Sequence, residues 1–453
     1  MEWSEKTVIV IGTGISGIAA TDLLVEVGAS VILYDGNDKL NPEDIKAKLK
    51  STKGVSVVLG DQLTKELRSN VSQVVISPGV PIDNPLVEEL RREGKEILGE
   101  VELAYMLSEG QIAAITGTNG KTTTTALVGE ILKSFYASAF VVGNIGIPYT
   151  RMATQIKKDS VVAAEISSFQ LETVHTFRPK VSAILNITPD HLNRHYTMEC
   201  YTDTKFEITA HQTKDEVCVL NYEDPILRKK ADSVPAKVFY FSSMQPLEEG
   251  IYLDEEQNII FAYEGKKEKV CHISELNLLG KHNYENVMAA VAIGYFMGVP
   301  MDHIQKVIKE FTAVEHRIEY VTEKNGVKYY NDSKGTNPDA AIQGIRAMIT
   351  KTVLIGGGYD KGSEYDEWIE AFDGKVKLLV LLGQTADKIE ECARRHGFND
   401  IIKVDSLEEA VKVCAQNAEP GEAVLLSPAC ASWGMFDNYE QRGNMFKDMV
   451  RAL

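Results

Sequence analysis

Residues Ile115–Leu132 read ITGTNGKTTTTALVGEIL. An apolar run ends in a glycine turn, and a helical pattern follows with Lys121 and Thr122 at its first positions. Strand, glycine loop and helix in that order predict a loop wrapped around phosphate. Backbone amides at the helix start cradle the anion, Lys121 neutralises it, and the Thr122 hydroxyl ligates Mg²⁺. A full phosphate-loop motif would carry glycine five positions before Gly120, where this chain has Ile115. The remainder, Thr116 to Thr122, still places the Lys-Thr pair where such a loop needs it.

A second nucleotide-like stretch, VIVIGTGISGIAATDLL, stands at Val8–Leu24. Gly12, Gly14 and Gly17 match G-x-G-x-x-G between a strand and a helix, and Asp35 ends the next strand. Read alone, this predicts a dinucleotide-binding Rossmann domain. A tight turn and a helix N-terminus serve any nucleotide diphosphate equally well. No hydride-transfer site follows downstream. A nicotinamide oxidoreductase, another diphosphate binder and a ligand-free turn all remain open at this point.

The 453 residues exceed one ordinary core, and strand–helix alternation restarts twice. TVIVIG, SVILYD and QVVISPG belong to a first block. QIAAITG, SAFVVGN, SVVAAEISS, VSAILNIT and EVCVLN form a second, and KTVLIGGG, KLLVLLG and EAVLLSP a third. These short β-branched runs suit buried parallel strands. The expectation is an α/β chain of three domains: residues 1–98 Rossmann-like, 99–313 P-loop ATPase-like with a mostly parallel sheet, and 314–453 again Rossmann-like.

The formal net charge of −17 argues against nucleic-acid or anionic-membrane binding, since both partners would be repelled. No apolar stretch approaches a bilayer span, and the N-terminus MEWSEKTVIVIG lacks a basic, cleavable leader. Six cysteines without a CxxC pair fit a reduced, cytoplasmic protein.

A magnesium enzyme also needs carboxylates. Glu165 ends the apolar strand VVAAEISS, where a buried charge demands a metal or another partner. Asp190-His191 follows AILNIT in the same way. His191 and His195 have the i, i+4 spacing of a zinc helix, but Leu192 stands where H-E-x-x-H needs its base, so zinc hydrolysis is rejected.

An ordered series of motifs then becomes specific. TGTNGKTT is followed by GN at 143–144, EISSFQL, ITPDHLNRH, GKHNYEN, EHRIE, NDSKGTNPDA, GGGYDKG and SPACASWGMFDNYEQRGNMF. The series resembles the Mur ligase family over essentially the whole chain. NDSKGTNPDA with SPACAS and the EQRG tail resembles its D-glutamate-adding member.

The resemblance implies two nucleotides in different domains: a UDP-sugar at the N-terminal glycines, and ATP at the central loop. The implied reaction joins D-Glu to UDP-MurNAc-L-Ala in peptidoglycan precursor synthesis, through an acyl phosphate. A carboxylate is a poor electrophile until phosphate makes a leaving group, and two anions can meet only beside cations. By motif, Gly117, Thr118, Asn119, Gly120, Lys121, Thr122, Thr123, Asn286, Arg317 and Asp332 are expected around ATP. Thr122, Glu165, His191 and Lys205 are expected to serve two Mg²⁺ ions, with Lys205 in YTDTKFE carrying a CO₂-derived carbamate. Lys121, His191, Lys205 and Glu165 form the implied catalytic set. Gly14, Ile15, Ser16, Asp35, Ser77, Pro78, Gly79, Asn144 and His191 are expected at the UDP-substrate. Relatives of this type often carry Thr-Arg after the aspartate, whereas this chain has Gly36-Asn37. Lys334, Thr336, Lys361, Ser432 and Tyr439 match positions that receive D-Glu. A monomer acting on small molecules is expected.

Overall fold

The computed structural model describes residues 3–71, 73–144, 146–312 and 315–453. The boundary drawn between 313 and 314 lies outside the described residues. The chain forms two compact units, residues 1–273 with 285–308, and residues 274–284 with 309–453. The first contains two sheets and the second one, giving three α/β domains.

The first sheet consists of β1 (Thr7–Ile11), β2 (Ser30–Asp35), β3 (Val55–Leu59), β4 (Gln73–Ile76) and β5 (Glu96–Gly99), in the order β3-β2-β1-β4-β5. Every pair is parallel. Val8, Ile9, Val10 and Leu33 are fully buried, which explains the unbroken apolar strands. The chain leaves β1 toward β2 and later returns to its other side as β4. A crevice therefore opens at the carboxyl end of β1, where open α/β sheets bind ligands.

The second sheet contains β6 (Gln111–Thr116), β7 (Ala139–Gly143), β8 (Val161–Glu165), β9 (Val181–Ile184), β10 (Val217–Asn221), β11 (Lys237–Ser242), β12 (Gly250–Leu253), β13 (Asn258–Tyr263) and β14 (Lys266–His272). Their order is β14-β13-β12-β11-β10-β9-β6-β8-β7. It is parallel from β7 to β12, and antiparallel through β13 and β14. β6 lies between β8 and β9, so this sheet also switches direction at the strand that feeds the glycine loop.

The second unit holds β15 (Glu319–Lys324), β16 (Val327–Asn331), β17 (Thr352–Gly356), β18 (Val376–Leu381), β19 (Ile401–Lys403) and β20 (Ala423–Leu426), ordered β15-β16-β20-β17-β18-β19. Only β15 is antiparallel. No helix among the described residues is long and apolar enough to cross a membrane.

Candidate active site

The loop between β6 and the helix Lys121–Lys133 is shaped by glycine. Gly117 (φ 144°) and Gly120 (φ 87°) lie in backbone regions that L side chains rarely enter, and a Cβ on Gly120 would strike Asn286 Oδ1. Asn286 also accepts from Thr124 Oγ1 at 3.3 Å, which ties the helix Lys281–Phe296 to the helix that the loop feeds.

Partners that the motif reading did not name hold the other side. Asn119 N donates to Asn186 Oδ1 (2.8 Å), and Asn186 Nδ2 returns to Asn119 O (3.1 Å). Thr118 N donates to Asn186 O (2.9 Å), and Thr188 N to Thr118 Oγ1 (3.0 Å). The segment after β9 is thus stitched to the glycine loop. The strand end NIT carried a signal for this, because Asn is a residue whose amide can satisfy loop backbone in both directions.

Lys121 Nζ donates to Gly117 O and Thr118 O, each at 2.9 Å. Lys205 Nζ reaches Gly117 O at 2.9 Å from the helix Met198–Phe206, and lies 4.7 Å from the Tyr201 ring centroid. Lys205 is 1% exposed, so a solvated surface lysine is ruled out. Burial, and next the charge of Lys121, push its ammonium down to about 7.

Glu165 ends β8 in register with Ile115 on one side and Gly143 on the other. It is buried, accepts from Asn144 Nδ2 at 3.0 Å, and its carbonyl takes the Asn144 N–H at 2.8 Å. A Cβ on Gly143 would overlap that carbonyl, so the close approach requires glycine. Thr122 is half-buried at the helix start, and Thr123 is buried behind it.

His191 is exposed, with Nε2 3.4 Å from Asp190 Oδ2 and its ring 4.8 Å from that of Phe169. His195 turns inward instead, with Nε2 3.0 Å from Ser168 Oγ, and burial lowers it to about 4. The two histidines differ in burial, although both rings lie against Phe169.

At the first sheet, Gly12 has φ 103° and a Cβ there would meet Ser77 Oγ at 2.6 Å. A Cβ on Gly17 would land on the Gly12 carbonyl, so helix and turn pack backbone to backbone. Asp35 Oδ2 accepts from Thr13 N (3.1 Å) and Thr13 Oγ1 (2.7 Å), while Oδ1 takes Asn37 N (3.1 Å). Asp35 therefore braces the glycine turn. Ile15 is 71% exposed beside Gly14 and the half-buried Ser16, at the start of the helix Ile15–Glu26. Ser77 Oγ is buried without a hydrogen-bond partner, beside Pro78 and the exposed Gly79.

In the second unit, Asp332 follows β16 and accepts from Ser427 Oγ at 2.6 Å, just beyond β20. Burial pushes its carboxyl up to about 7, opposed by that hydrogen bond and by the Arg317 charge. Arg317 sits between His316 (φ 65°) and Ile318 (φ 49°), with its Nε buried and unpartnered. Ser333 Oγ donates to Tyr439 O (2.8 Å), and Arg442 donates to Ser333 Oγ, Ser333 O and Cys430 O. These bonds join the strand-end segment of Lys334 and Thr336 to that of Ser432, which is buried, and to the helix Tyr439–Ala452. Lys334 Nζ lies 5.7 Å from the Tyr439 ring centroid. Lys361 is exposed, 5.1 Å from the Trp433 ring centroid. The carboxyl ends of β16, β17 and β20 thus bring the five positions matched to D-Glu to one end of the sheet.

Three domain families of one enzyme group match in order. The Mur ligase MurD-like N-terminal domain matches residues 6–99, the Mur ligase middle domain 115–294, and the Mur ligase glutamate ligase domain 316–430. The chain belongs to the Mur ligase family. This Mur ligase is 58% identical over 453 residues to the UDP-N-acetylmuramoylalanine–D-glutamate ligase of Lachnoclostridium phytofermentans, covering 100% of this chain and 99% of that one. It is 56% identical to the protein of the same name from Lachnospira eligens, with both chains fully covered, and 47% identical to that of Clostridioides difficile, again over both chains. Crystal structures of MurC and of ADP-bound MurF, both from Thermotoga maritima, share its fold with TM-scores of 0.59 and 0.60. Their identities are 19% and 18%, and the alignments cover 99% of each chain.

Proposed function

We infer that this Mur ligase joins D-glutamate to UDP-N-acetylmuramoyl-L-alanine with ATP, releasing ADP and phosphate in peptidoglycan precursor synthesis. The single observation that carries the reading is full-length identity of 47–58% to relatives bearing that one name. The glycine turn of the first sheet then serves a UDP-sugar diphosphate rather than a nicotinamide. We divide the work as residues 1–98 for the UDP-substrate, 99–313 for ATP and 314–453 for the amino acid.

Gly117 to Thr123, with Asn286, cradle the ATP phosphates in the loop that glycine geometry and Asn186 shape, and Arg317 and Asp332 are further nucleotide residues by motif. The donor set of Thr122 hydroxyl, Glu165 carboxylate and His191 imidazole, rich in hard oxygen, fits Mg²⁺. Two such ions, when bound, offset charge on the transferring phosphoryl group. Lys121 supplies a fixed positive charge to the same group. Asn144, held on Glu165, and His191 face the muramoyl-alanine arm, while Ile15, Ser16, Asp35 and Ser77 to Gly79 hold the uridine end.

The substrate carboxylate attacks the γ-phosphorus and ADP leaves. The D-Glu amine then attacks the acyl-phosphate carbon, and phosphate departs with loss of a proton. Lys334, Thr336, Lys361, Ser432 and Tyr439 hold D-Glu. A lysine ammonium held near 7 presents neutral amine at physiological pH. Lys205 therefore adds to CO₂ with loss of a proton, and its carbamate oxygen would offer an anionic ligand to a bound Mg²⁺. We further propose that the enzyme acts in the cytoplasm as a monomer.

Phosphate release from ATP, assayed with UDP-MurNAc-L-Ala and each of D-Glu, L-Glu, L-Ala and diaminopimelate, tests the assignment. Release with D-Glu alone among the four is expected. Equal turnover with L-Glu overturns it.

A further inference from the structure

The turn that carries His191 is anchored to the first sheet by side chains that the reaction itself does not use. His191 (φ 52°, left-handed) and Tyr196 (φ 64°, ψ −41°, outside that region) bracket the short helix Leu192–His195 at positive φ, which is a strained setting for the bulky tyrosine above all. Something outside the turn must hold that shape. Arg194 Nε donates to Glu172 Oε1 at 3.1 Å, and its Nη2 donates both to the Glu172 carboxylate and to Val80 O, the latter at 3.0 Å. Arg194 and Glu172 side chains are only 11% and 6% exposed. Tyr196 OH donates to Asp83. Val80 and Asp83 follow directly on Ser77-Pro78-Gly79, and Val80 N closes that loop on Ser77 O at 2.9 Å.

A ring links this anchor to His191. The Arg194 guanidinium lies 4.8 Å from the Phe169 ring centroid, and the same ring lies 4.8 Å from the His191 imidazole. Phe169 therefore borders both the arginine and His191, and His195 stacks on the same ring at 5.7 Å. A planar fork can bind Glu172 through two nitrogens, hold Val80 O and face the ring together. A lysine ammonium lacks that geometry.

We propose that Arg194 and Tyr196 are positioning residues that couple occupancy of the Ser77–Asp83 loop to the placement of His191. The proposal rests on the UDP-substrate reading of the first sheet. A uridine diphosphate bound at that loop steadies Val80 and Asp83, and through them the turn that presents His191.

Hydrogen exchange on the full chain, with UDP as the probe, tests it in wild type, Arg194→Lys and Tyr196→Phe. Tyr196→Phe removes one hydroxyl from a ring that is 69% exposed, so folding is not at issue. In wild type, UDP should slow exchange in both 77–83 and 191–196. In either variant the protection should persist at 77–83 and be largely lost at 191–196. In turnover, kcat should fall about 10–10²-fold with the KM for ATP unchanged, a split that general loss of stability would not produce. Protection at 191–196 that survives in both variants, or that is missing from wild type while 77–83 is protected, overturns the coupling. Failure of UDP to protect 77–83 contradicts both the coupling and the substrate reading. Absence of D-Glu-dependent ADP formation by wild type counts against the ligase reading alone.

Discussion

Lys121 and Lys205 donate to the same acceptor, each with Nζ 2.9 Å from the Gly117 carbonyl oxygen. Burial is the main cost to the Lys205 ammonium, and repulsion from Lys121, which converges on the same carbonyl, adds to it. The cationic form of Lys205 is disfavoured before any ligand arrives. That relationship gives the carbamate reading its physical basis.

Lys205→Ala should be nearly inactive, with partial recovery in acetate, which can fill the place of the carbamate oxygens. Steady-state rates with and without acetate, in CO₂-depleted and CO₂-supplied buffer, check this. A variant with wild-type turnover in CO₂-depleted buffer contradicts it.

The same shift has a stability consequence. The folded value near 7 lies below the ordinary lysine value of 10.5, so the unfolded chain binds more protons between them. Stability from this group is therefore lowest below about 7 and rises toward pH 10.5. Without nucleotide and in CO₂-depleted buffer, where Lys205 is the free amine, Lys205→Met should melt above wild type at pH 6, and the difference should shrink as pH rises. Thermal unfolding that shows the variant less stable at pH 6 contradicts the assignment.

Lys121→Ala should lower kcat by about 10²–10³, the usual effect of losing one preorganised charge contact in a transition state. Turnover within a few-fold of wild type would show that phosphoryl transfer occurs elsewhere.

Asp332 titrates in the opposite sense. Its carboxyl, raised to about 7, stays protonated in the folded chain where the unfolded chain has already released its proton near 3.8. Stability from this group is fully present below 3.8 and is lost as pH rises through about 7. Asp332→Asn should flatten the decline in thermal midpoint between pH 3.8 and about 7. An unchanged slope would mean that Asp332 does not hold its proton in the folded state.

The parallel cores were legible because buried strands such as TVIVIG and QIAAIT are apolar throughout, and the glycines that shape both loops stand at fixed spacings. Other features were hidden for identifiable reasons. The β15–β16 hairpin turns at Asn325 (φ 52°) and Gly326 (φ 77°), and the Asn-Gly signal in TEKNGVKY is flanked by charged, partly exposed residues that give no clear apolar alternation. β14, KKEKVCH, is a lysine-rich strand at the sheet edge, whose polarity masks it. Lys205 gave no local sign of burial, since Asp203 and Glu207 beside it are exposed. The hold of Asn186 on the phosphate loop spans 67 residues, and spacing cannot announce such a contact.

The central claim, activation of a substrate carboxylate by phosphate before D-Glu attacks, is tested most directly by isotope transfer. UDP-MurNAc-L-Ala labelled with ¹⁸O in its alanyl carboxylate is turned over with ATP and D-Glu, and phosphate and nucleotide product are read by mass spectrometry. The account predicts a product heavier by one glutamyl residue and one ¹⁸O carried into each phosphate released. Unlabelled phosphate, or phosphate released at the same rate without D-Glu, would contradict it.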